Sequence, residues 1–123
     1  MKFYRCKKCG NLVAMIDEKV CIPHYCGEPM KLLEGNTTDA AVEKHVPVVY
    51  EEDGKVIVKV GDVAHPMLPE HHIAWIYVEL KDGGILKYLP VDQPACAAFD
   101  VALEDVKVVY EYCNLHGLWK KVL

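Results

Sequence analysis

The sequence from Val46 onward predicts an all-β fold, an antiparallel β-sandwich without a long helix. Two observations support it: β-branched runs recur at short spacing, and turn residues separate them. The clearest turn is Asp53-Gly54, a strong hairpin signal between predicted strands at residues 46–52 and 55–60. The other predicted strands cover residues 73–80, 85–89, 95–99, 106–112 and 118–122. Six or seven short strands at this spacing are typical of an immunoglobulin-like sandwich.

The first 36 residues have a different character from the rest of the chain. They are rich in cysteine, glycine and lysine and are too short to bury a core of their own. Such a segment needs a cross-link, usually a metal ion. Residues 35–39 read as a linker, and residues 40–43 could form one helical turn. We therefore expect a small Cys-rich domain at residues 1–36 and a larger domain at residues 37–123.

Length and composition exclude several classes of protein. A chain of 123 residues is too short for a large multidomain enzyme, and a net charge of -4 does not suggest a nucleic-acid surface. Residues 1–6 lack the apolar core of a signal peptide, and no later apolar run approaches the roughly 20 residues of a membrane span. We expect a cytoplasmic protein. In that reducing compartment, six cysteines favour metal binding over a disulfide framework.

Three segments between predicted strands carry groups that bind metals. The first ends at His45, the second is a long connection stiffened by Pro66 and Pro69, and the third follows a strand directly. The two prolines argue against a helix, so the histidines of that connection are ligands carried by a loop. The five candidate ligands are His45, His65, His71, Cys113 and His116.

The number of candidate ligands indicates the class of metal. Structural zinc is almost always satisfied by four ligands, whereas this set offers four imidazoles and one thiolate. Imidazole suits iron, and a thiolate increases the electron density on it. The sequence therefore predicts a reactive non-haem iron site with four nitrogens in a plane, sulfur on one side and an open position opposite. One-electron chemistry on a small oxygen species would take place at the open position.

Several motifs resemble those of the desulfoferrodoxin family of superoxide reductases, and the resemblance covers essentially the whole chain. The motifs are Glu43-Lys44-His45-Val46-Pro47, His65-Pro66-Met67 with His71, Cys113-Asn114-Leu115-His116-Gly117, Cys9-Gly10-Asn11 and Cys26-Gly27-Glu28-Pro29-Met30-Lys31. The resemblance implies an immunoglobulin-like sandwich that binds iron with the four histidines equatorial and Cys113 axial. It also implies a small desulforedoxin-like, rubredoxin-type domain at residues 1–36.

The activity implied by the resemblance is the reduction of superoxide to hydrogen peroxide. Electrons would come from rubredoxin or a similar donor, in the cytoplasm of an anaerobic or microaerophilic cell. Glu43 would ligate the oxidised iron at the sixth position, and Lys44 would lie near the open site and attract the superoxide anion. Family members tend to form homodimers.

The N-terminal segment departs from the family pattern of four cysteine ligands. Cys6, Cys9 and Cys26 match, but Tyr25 stands where another cysteine is expected. Cys21 could supply a fourth thiolate if its loop folds back, and His24 is also close in sequence to the gap. Four thiolates would hold iron or zinc. The alternative is a degenerate site with free thiols.

Four other residues receive a structural interpretation. His72 should point away from His71 in an extended segment and be a neighbour of the site without ligating the metal. Trp75 and Trp119 are interpreted as core or site-shielding aromatics, and Cys96 as a buried structural thiol.

Two functions other than superoxide reductase remain open at this point. The chain could be a non-catalytic electron carrier or metal-binding module whose functional part is the N-terminal cysteines. It could also be an interaction domain stabilised by zinc.

Overall fold

The computed structural model describes all 123 residues, Met1–Leu123. They form two compact units, Met1–Glu34 and Gly35–Leu123. No helix in either unit has the length and apolar character needed to cross a lipid bilayer.

The first unit consists of five short strands. Their bounds are β1 Lys2–Arg5, β2 Leu12–Met15, β3 His24–Tyr25, β4 Glu28–Pro29 and β5 Lys31–Leu32. Strand β1 lies between β2 and β5 in one antiparallel sheet, and β3 pairs with β4 in a hairpin. Tyr4, Cys6 and Met30 form a small buried cluster, with Met15 packed against it. A core of this size agrees with the expectation that the segment needs a cross-link.

The second unit begins with one helical turn and continues with seven strands. The bounds are α1 Val42–His45, β6 Pro47–Glu52, β7 Lys55–Val60, β8 Ile73–Leu80, β9 Gly83–Tyr88, β10 Cys96–Phe99, β11 Val106–Cys113 and β12 Gly117–Val122. A 3-10 turn at Leu103–Asp105 precedes β11. The strands form two antiparallel sheets, in the orders β10-β7-β6 and β12-β11-β8-β9. The predicted all-β antiparallel sandwich is therefore confirmed.

The core lies between the two sheets. In β7, Val56, Val58 and Val60 are buried and the residues between them are more exposed, as expected when one face of a strand packs inward. They belong to one buried apolar cluster that also contains Ile76 and Val109 of the opposite sheet.

The sheet registers bring several strand ends to one end of the sandwich. Pro47 at the start of β6 pairs with Val60 at the end of β7. In the other sheet, Cys113 at the end of β11 pairs with both Ile73 at the start of β8 and Gly117 at the start of β12. The segments that precede β6, join β7 to β8 and join β11 to β12 therefore all meet at this end.

One acidic residue lies inside this core. Glu111 is completely buried, and neither of its carboxyl oxygens has a hydrogen-bond partner. Burial raises the pKa of Glu111 well above its usual value, because desolvation penalises the charged form.

Candidate metal centre

The five predicted ligands converge at this end of the sandwich. One ligand atom from each of five side chains lies within 4.8 Å of every other; the five are His45, His65, His71, Cys113 and His116. They come from three segments that are far apart in the sequence, so the folding of the two sheets is what brings them together.

His45 is positioned by the short helix α1 and by an aromatic neighbour. Its Nδ1–H donates to the carbonyl oxygen of Ala41 (2.7 Å), which directs Nε2 toward the other histidines. The indole of Trp119 stacks on the imidazole, with 4.7 Å between ring centroids and 22° between planes. Trp119 is almost fully buried, and its Nε1–H donates to the carbonyl oxygen of His116 (3.2 Å). Trp119 therefore contacts two of the five ligand residues, which agrees with its interpretation as a core or site-shielding aromatic.

His65 and His71 lie in the connection between β7 and β8. His65 Nδ1–H donates to the carbonyl oxygen of Pro66 (2.7 Å), so its Nε2 is turned toward the cluster. His71 closes a tight turn by exchanging two backbone hydrogen bonds with Leu68 (2.9 and 3.1 Å). Pro69 lies within that turn, where its fixed φ favours a bend. These contacts give the loop a defined shape, as the sequence predicted.

Cys113 and His116 lie at the two ends of the turn between β11 and β12. The Cys113 sulfur is completely buried, 3.6 Å from His65 Nε2 and 3.8 Å from His116 Nδ1. Backbone N–H groups of Leu115 and His116 point at this sulfur and favour its thiolate form. His116 approaches with Nδ1, 3.1 Å from His45 Nε2.

The nitrogen atoms of the cluster are arranged for a cation. His45 and His65 each donate their Nδ1–H to a carbonyl, so the Nε2 of each neutral ring carries a lone pair. Those two lone-pair nitrogens are only 3.1 Å apart and cannot hydrogen-bond to each other. The Nε2 of His71 is buried without any partner. Two ligands that each lie about 2.0–2.1 Å from one ion are roughly 2.8–3.4 Å apart, which agrees with the spacing here.

The electrostatic environment favours a metal ion over a proton at this position. Burial lowers the pKa of His65 to about 4, and burial is also the main reason that the pKa values of His45 and His71 are lowered. Neutral imidazoles are the form that binds metals. Burial raises the pKa of Cys113, so a nearby cation is needed to keep its thiolate. Four imidazoles and one thiolate fit a non-haem iron site and exceed the four ligands of structural zinc.

Two predicted site residues lie beside the five and are not among them. Glu43 and Lys44 are exposed residues of α1, and the Glu43 carboxylate is outside the group of five ligand atoms. The charge of Lys44 is close enough to contribute to the lowered pKa values of His45 and His71. His72 is also outside the group, and its Nδ1–H donates to the carbonyl oxygen of Leu68 (3.0 Å).

Two further residues position the ligands, and the sequence reasoning assigned them no role. The side chain of Asn114 joins the two ligand-bearing turns: its Oδ1 accepts from the His72 N–H (2.8 Å), and its Nδ2 donates to the Glu70 carbonyl (3.0 Å). Gly61 has a φ of +79°, and a Cβ there would lie 2.6 Å from the carbonyl carbon of Lys44. The sequence features that could have identified Asn114 and Gly61 are an asparagine in a predicted turn and a glycine directly after a predicted strand.

The first unit contains a separate sulfur cluster. The sulfur atoms of Cys6, Cys9 and Cys26 lie within 4.8 Å of one another, and a second metal could bind there. Cys21 is exposed and lies outside this group, so its loop does not take the folded-back position that would let it supply a fourth sulfur. His24 is also outside the group and donates its Nδ1–H to the carbonyl oxygen of Ile22 (3.0 Å).

The interpretation of Cys96 as a buried thiol is wrong. Cys96 is exposed at the start of β10, a strand with only one neighbour in its sheet. The adjacent Ala95 is buried, because neighbouring residues of an extended segment point to opposite sides. Trp75, by contrast, is buried and stacks on Tyr112 with 5.6 Å between ring centroids, but neither residue belongs to the apolar cluster between the two sheets.

Comparison with known proteins agrees with this geometry. The sequence profile of the family described as Desulfoferrodoxin matches residues 37–122. A desulfoferrodoxin homolog from Archaeoglobus fulgidus is 46% identical over 98% of this chain and 95% of its own. A desulfoferrodoxin from Syntrophotalea carbinolica is 46% identical over 97% of this chain and 94% of its own. The crystal structure of the superoxide reductase from Treponema pallidum superposes with a TM-score of 0.78 at 38% identity, covering 97% of this chain and 98% of that one. The chain belongs to the desulfoferrodoxin family.

Proposed function

We propose that this protein is a superoxide reductase, an oxidoreductase that reduces superoxide by one electron to hydrogen peroxide. The observation that carries the proposal is the convergence of four imidazoles and one cysteine sulfur within 4.8 Å. The similarity to the Treponema pallidum superoxide reductase over nearly the whole chain supports it. These five side chains would hold iron, which would supply the electron, and two protons complete the product.

Each of the five ligand residues has a distinct part in holding the iron. The carbonyls of Ala41 and Pro66 fix the rings of His45 and His65, so these two present Nε2 without reorganisation. His71 contributes a buried Nε2, and His116 contributes Nδ1. Cys113 would provide a thiolate ligand, which would increase the electron density on the iron.

The residues beside the cluster act on the substrate. Lys44 attracts the superoxide anion toward the site although the whole chain has a net charge of -4. Its electrostatic effect on His45 and His71 supports this role. Glu43 would serve as a further carboxylate ligand for the iron, a role suggested by the family motif. Water at the open face supplies the protons.

Three further elements complete the proposal. The functional domains are a desulforedoxin-like domain at residues 1–36 and the iron-binding sandwich at residues 37–123. The electron donor is rubredoxin or a similar small redox protein. The protein acts in the cytoplasm as a homodimer.

Product stoichiometry tests the proposed activity. Iron-loaded protein supplied with an electron donor should form one hydrogen peroxide per superoxide consumed and release no dioxygen. A dismutase would instead release dioxygen and form one peroxide from two superoxide ions. Elemental analysis should find iron in the second unit. Zinc filling that site, with no consumption of superoxide, would favour the zinc-stabilised interaction domain.

A further inference from the structure

The sulfur cluster of the first unit differs from the four-cysteine site that the family motif implies. Tyr25 occupies the position where a further cysteine is expected, and its side chain is 44% exposed. The backbone carbonyl of Tyr25 faces the Cys6 sulfur at 3.9 Å. The tyrosine side chain therefore does not replace the missing thiolate, and a four-thiolate centre does not fit these residues.

The three remaining sulfurs are nevertheless presented by two well-formed turns. In the first, the Cys9 N–H points at the Cys6 sulfur (3.5 Å), and the Gly10 N–H donates to the Cys6 carbonyl (2.9 Å). In the second, Cys26 and Gly27 both have positive φ, 53° and 78°. A left-handed conformation at a cysteine is uncommon and is retained where the surrounding structure requires it.

The backbone between Cys21 and Cys26 is restrained by hydrogen bonds. The carbonyl of Pro23 accepts from the Met30 N–H (2.8 Å), and His24 and Tyr25 pair with the strand Glu28–Pro29. Cys21 could reach the other sulfurs only if the backbone beside Pro23, His24 and Tyr25 changed its conformation, and the hydrogen bonds of these residues oppose that change. Cys21 is exposed, in agreement with its place outside the cluster.

We propose that the first unit binds a single zinc ion through Cys6, Cys9 and Cys26, with the fourth position taken by a small ligand from solution. That ligand is water or a low-molecular-weight thiol. Three protein ligands and an exchangeable fourth are typical of open zinc sites, whereas structural sites are closed. Cys9 and Cys26 are exposed, so the open side of the ion faces solvent.

Zinc is favoured over iron at this position for two reasons. Thiolates select soft ions, and for a given set of ligands the divalent affinities place zinc above ferrous iron. Zinc does not change its oxidation state. The first unit is therefore not an electron relay, and the external donor delivers electrons to the second unit without it. Zinc binding by the first unit is separate from the proposed superoxide reduction and does not depend on it.

X-ray absorption at the zinc edge tests the ligand set. The full-length protein is first loaded with iron, so that the five-ligand site is filled, and then with one equivalent of zinc. We expect three sulfur neighbours and one oxygen or nitrogen neighbour around zinc, with no change in Cys21→Ser or His24→Ala. Cys26→Ser should weaken zinc binding by more than about tenfold, because loss of even a hydrogen-bond partner of a metal ligand typically costs at least that much.

Added 2-mercaptoethanol and the variant Tyr25→Cys test the open position. The thiol should raise the number of sulfur neighbours from three to four in the original protein. Tyr25→Cys should show four sulfurs without added thiol and should not respond to it. Four sulfurs in the original protein that fall to three in Cys21→Ser would overturn the proposal. The proposal would also be overturned if zinc in the original protein had an imidazole neighbour that disappears in His24→Ala. The same holds if the original protein bound zinc no more tightly than Cys26→Ser does. None of these measurements uses superoxide, so their failure is distinct from failure of the proposed activity.

Discussion

The substitution Asn114→Ala should loosen the iron site without touching a ligand. The Asn114 side chain makes two hydrogen bonds to the backbone of the His71 loop, at Glu70 and His72, and follows Cys113 directly in the chain. It therefore links the turn that carries Cys113 and His116 to the loop that carries His71. Without these two hydrogen bonds the His71 loop is less ordered before iron binds. Ordering the loop then reduces the net free energy of iron binding.

The expected size of the effect follows from the two lost hydrogen bonds. A hydrogen bond contributes about 0.5–1.5 kcal/mol net, and the lower part of that range applies because Asn114 is exposed to competing water. The pair is then worth about 1–2 kcal/mol. Since 1.4 kcal/mol corresponds to a factor of ten, iron should be held roughly 5- to 30-fold less tightly. Substitution of a residue that supports a metal ligand through hydrogen bonds typically weakens metal binding by a similar factor.

Competition with a chelator measures the change, with iron retention followed by the visible absorption of the iron–thiolate bond. Asn36→Ala is the matched control, because the exposed Asn36 also makes two side-chain hydrogen bonds to the backbone, both to Lys120 (3.0 and 2.8 Å). We expect Asn36→Ala to lower the resistance to urea while leaving iron affinity unchanged. Equal iron affinity in the original protein and Asn114→Ala would refute the reasoning, as would an equal loss in both variants.

Three other substitutions test the site. Gly61→Ala and Gly54→Ala share a positive φ near +75°, but a Cβ meets the Lys44 backbone at 2.6 Å only in the first. In urea unfolding, Gly54→Ala should lower the free energy of unfolding by about 1 kcal/mol, because alanine is strained at a positive φ. Gly61→Ala should lower it by roughly a further 1–3 kcal/mol, because its Cβ also clashes with the Lys44 backbone. Cys113→Ser should abolish the iron–thiolate absorption and superoxide reduction; unchanged optical and redox behaviour would favour the non-catalytic electron carrier. Lys44→Gln should slow the second-order reaction with superoxide about two- to tenfold at low salt, an effect that fades as salt rises. Lys107→Gln is the control, and an equal effect there would exclude local attraction by Lys44.

Much of the fold was predictable because the relevant signals are local. The Asp53-Gly54 hairpin forms as expected, with φ of 51° and 73°, values that only a few residue types adopt readily. The strand predicted at residues 73–80 has the observed bounds, and the strand predicted at residues 85–89 begins two residues earlier, at Gly83. Strand ends depend on pairing with a neighbour, so their positions are less evident from a single stretch of sequence.

The ligand set was predictable for a different reason. Histidine and cysteine residues in loops are recognisable as candidate metal ligands from residue type alone, and five ligands are more than the four that a closed zinc site uses. The orientation of each ring was not predictable. His45 and His65 turn Nε2 inward because carbonyls of Ala41 and Pro66 accept from Nδ1, whereas His116 turns Nδ1 inward. Those carbonyls are backbone groups, and their positions depend on the fold and not on residue type.

The positions of Cys21 and Cys96 could not be predicted from the sequence, for the same reason. Whether Cys21 reaches the other sulfurs depends on the hydrogen bonds of Pro23, His24 and Tyr25 with the following strand. Whether Cys96 is buried depends on which face of β10 turns toward the core, and the register of β10 against β7 sets that face.

The amino-acid sequence by itself determined the strands, their turns and the chemical kind of metal site, because backbone preference and ligand chemistry are properties of individual residues and short segments. The tertiary structure alone decided which atoms meet. It directs the lone pairs of His45 and His65 to within 3.1 Å, leaves His71 Nε2 buried without a partner, and keeps Cys21 away from the other three sulfurs. These outcomes depend on contacts between segments far apart in the chain, and only the packing of the folded protein establishes such contacts.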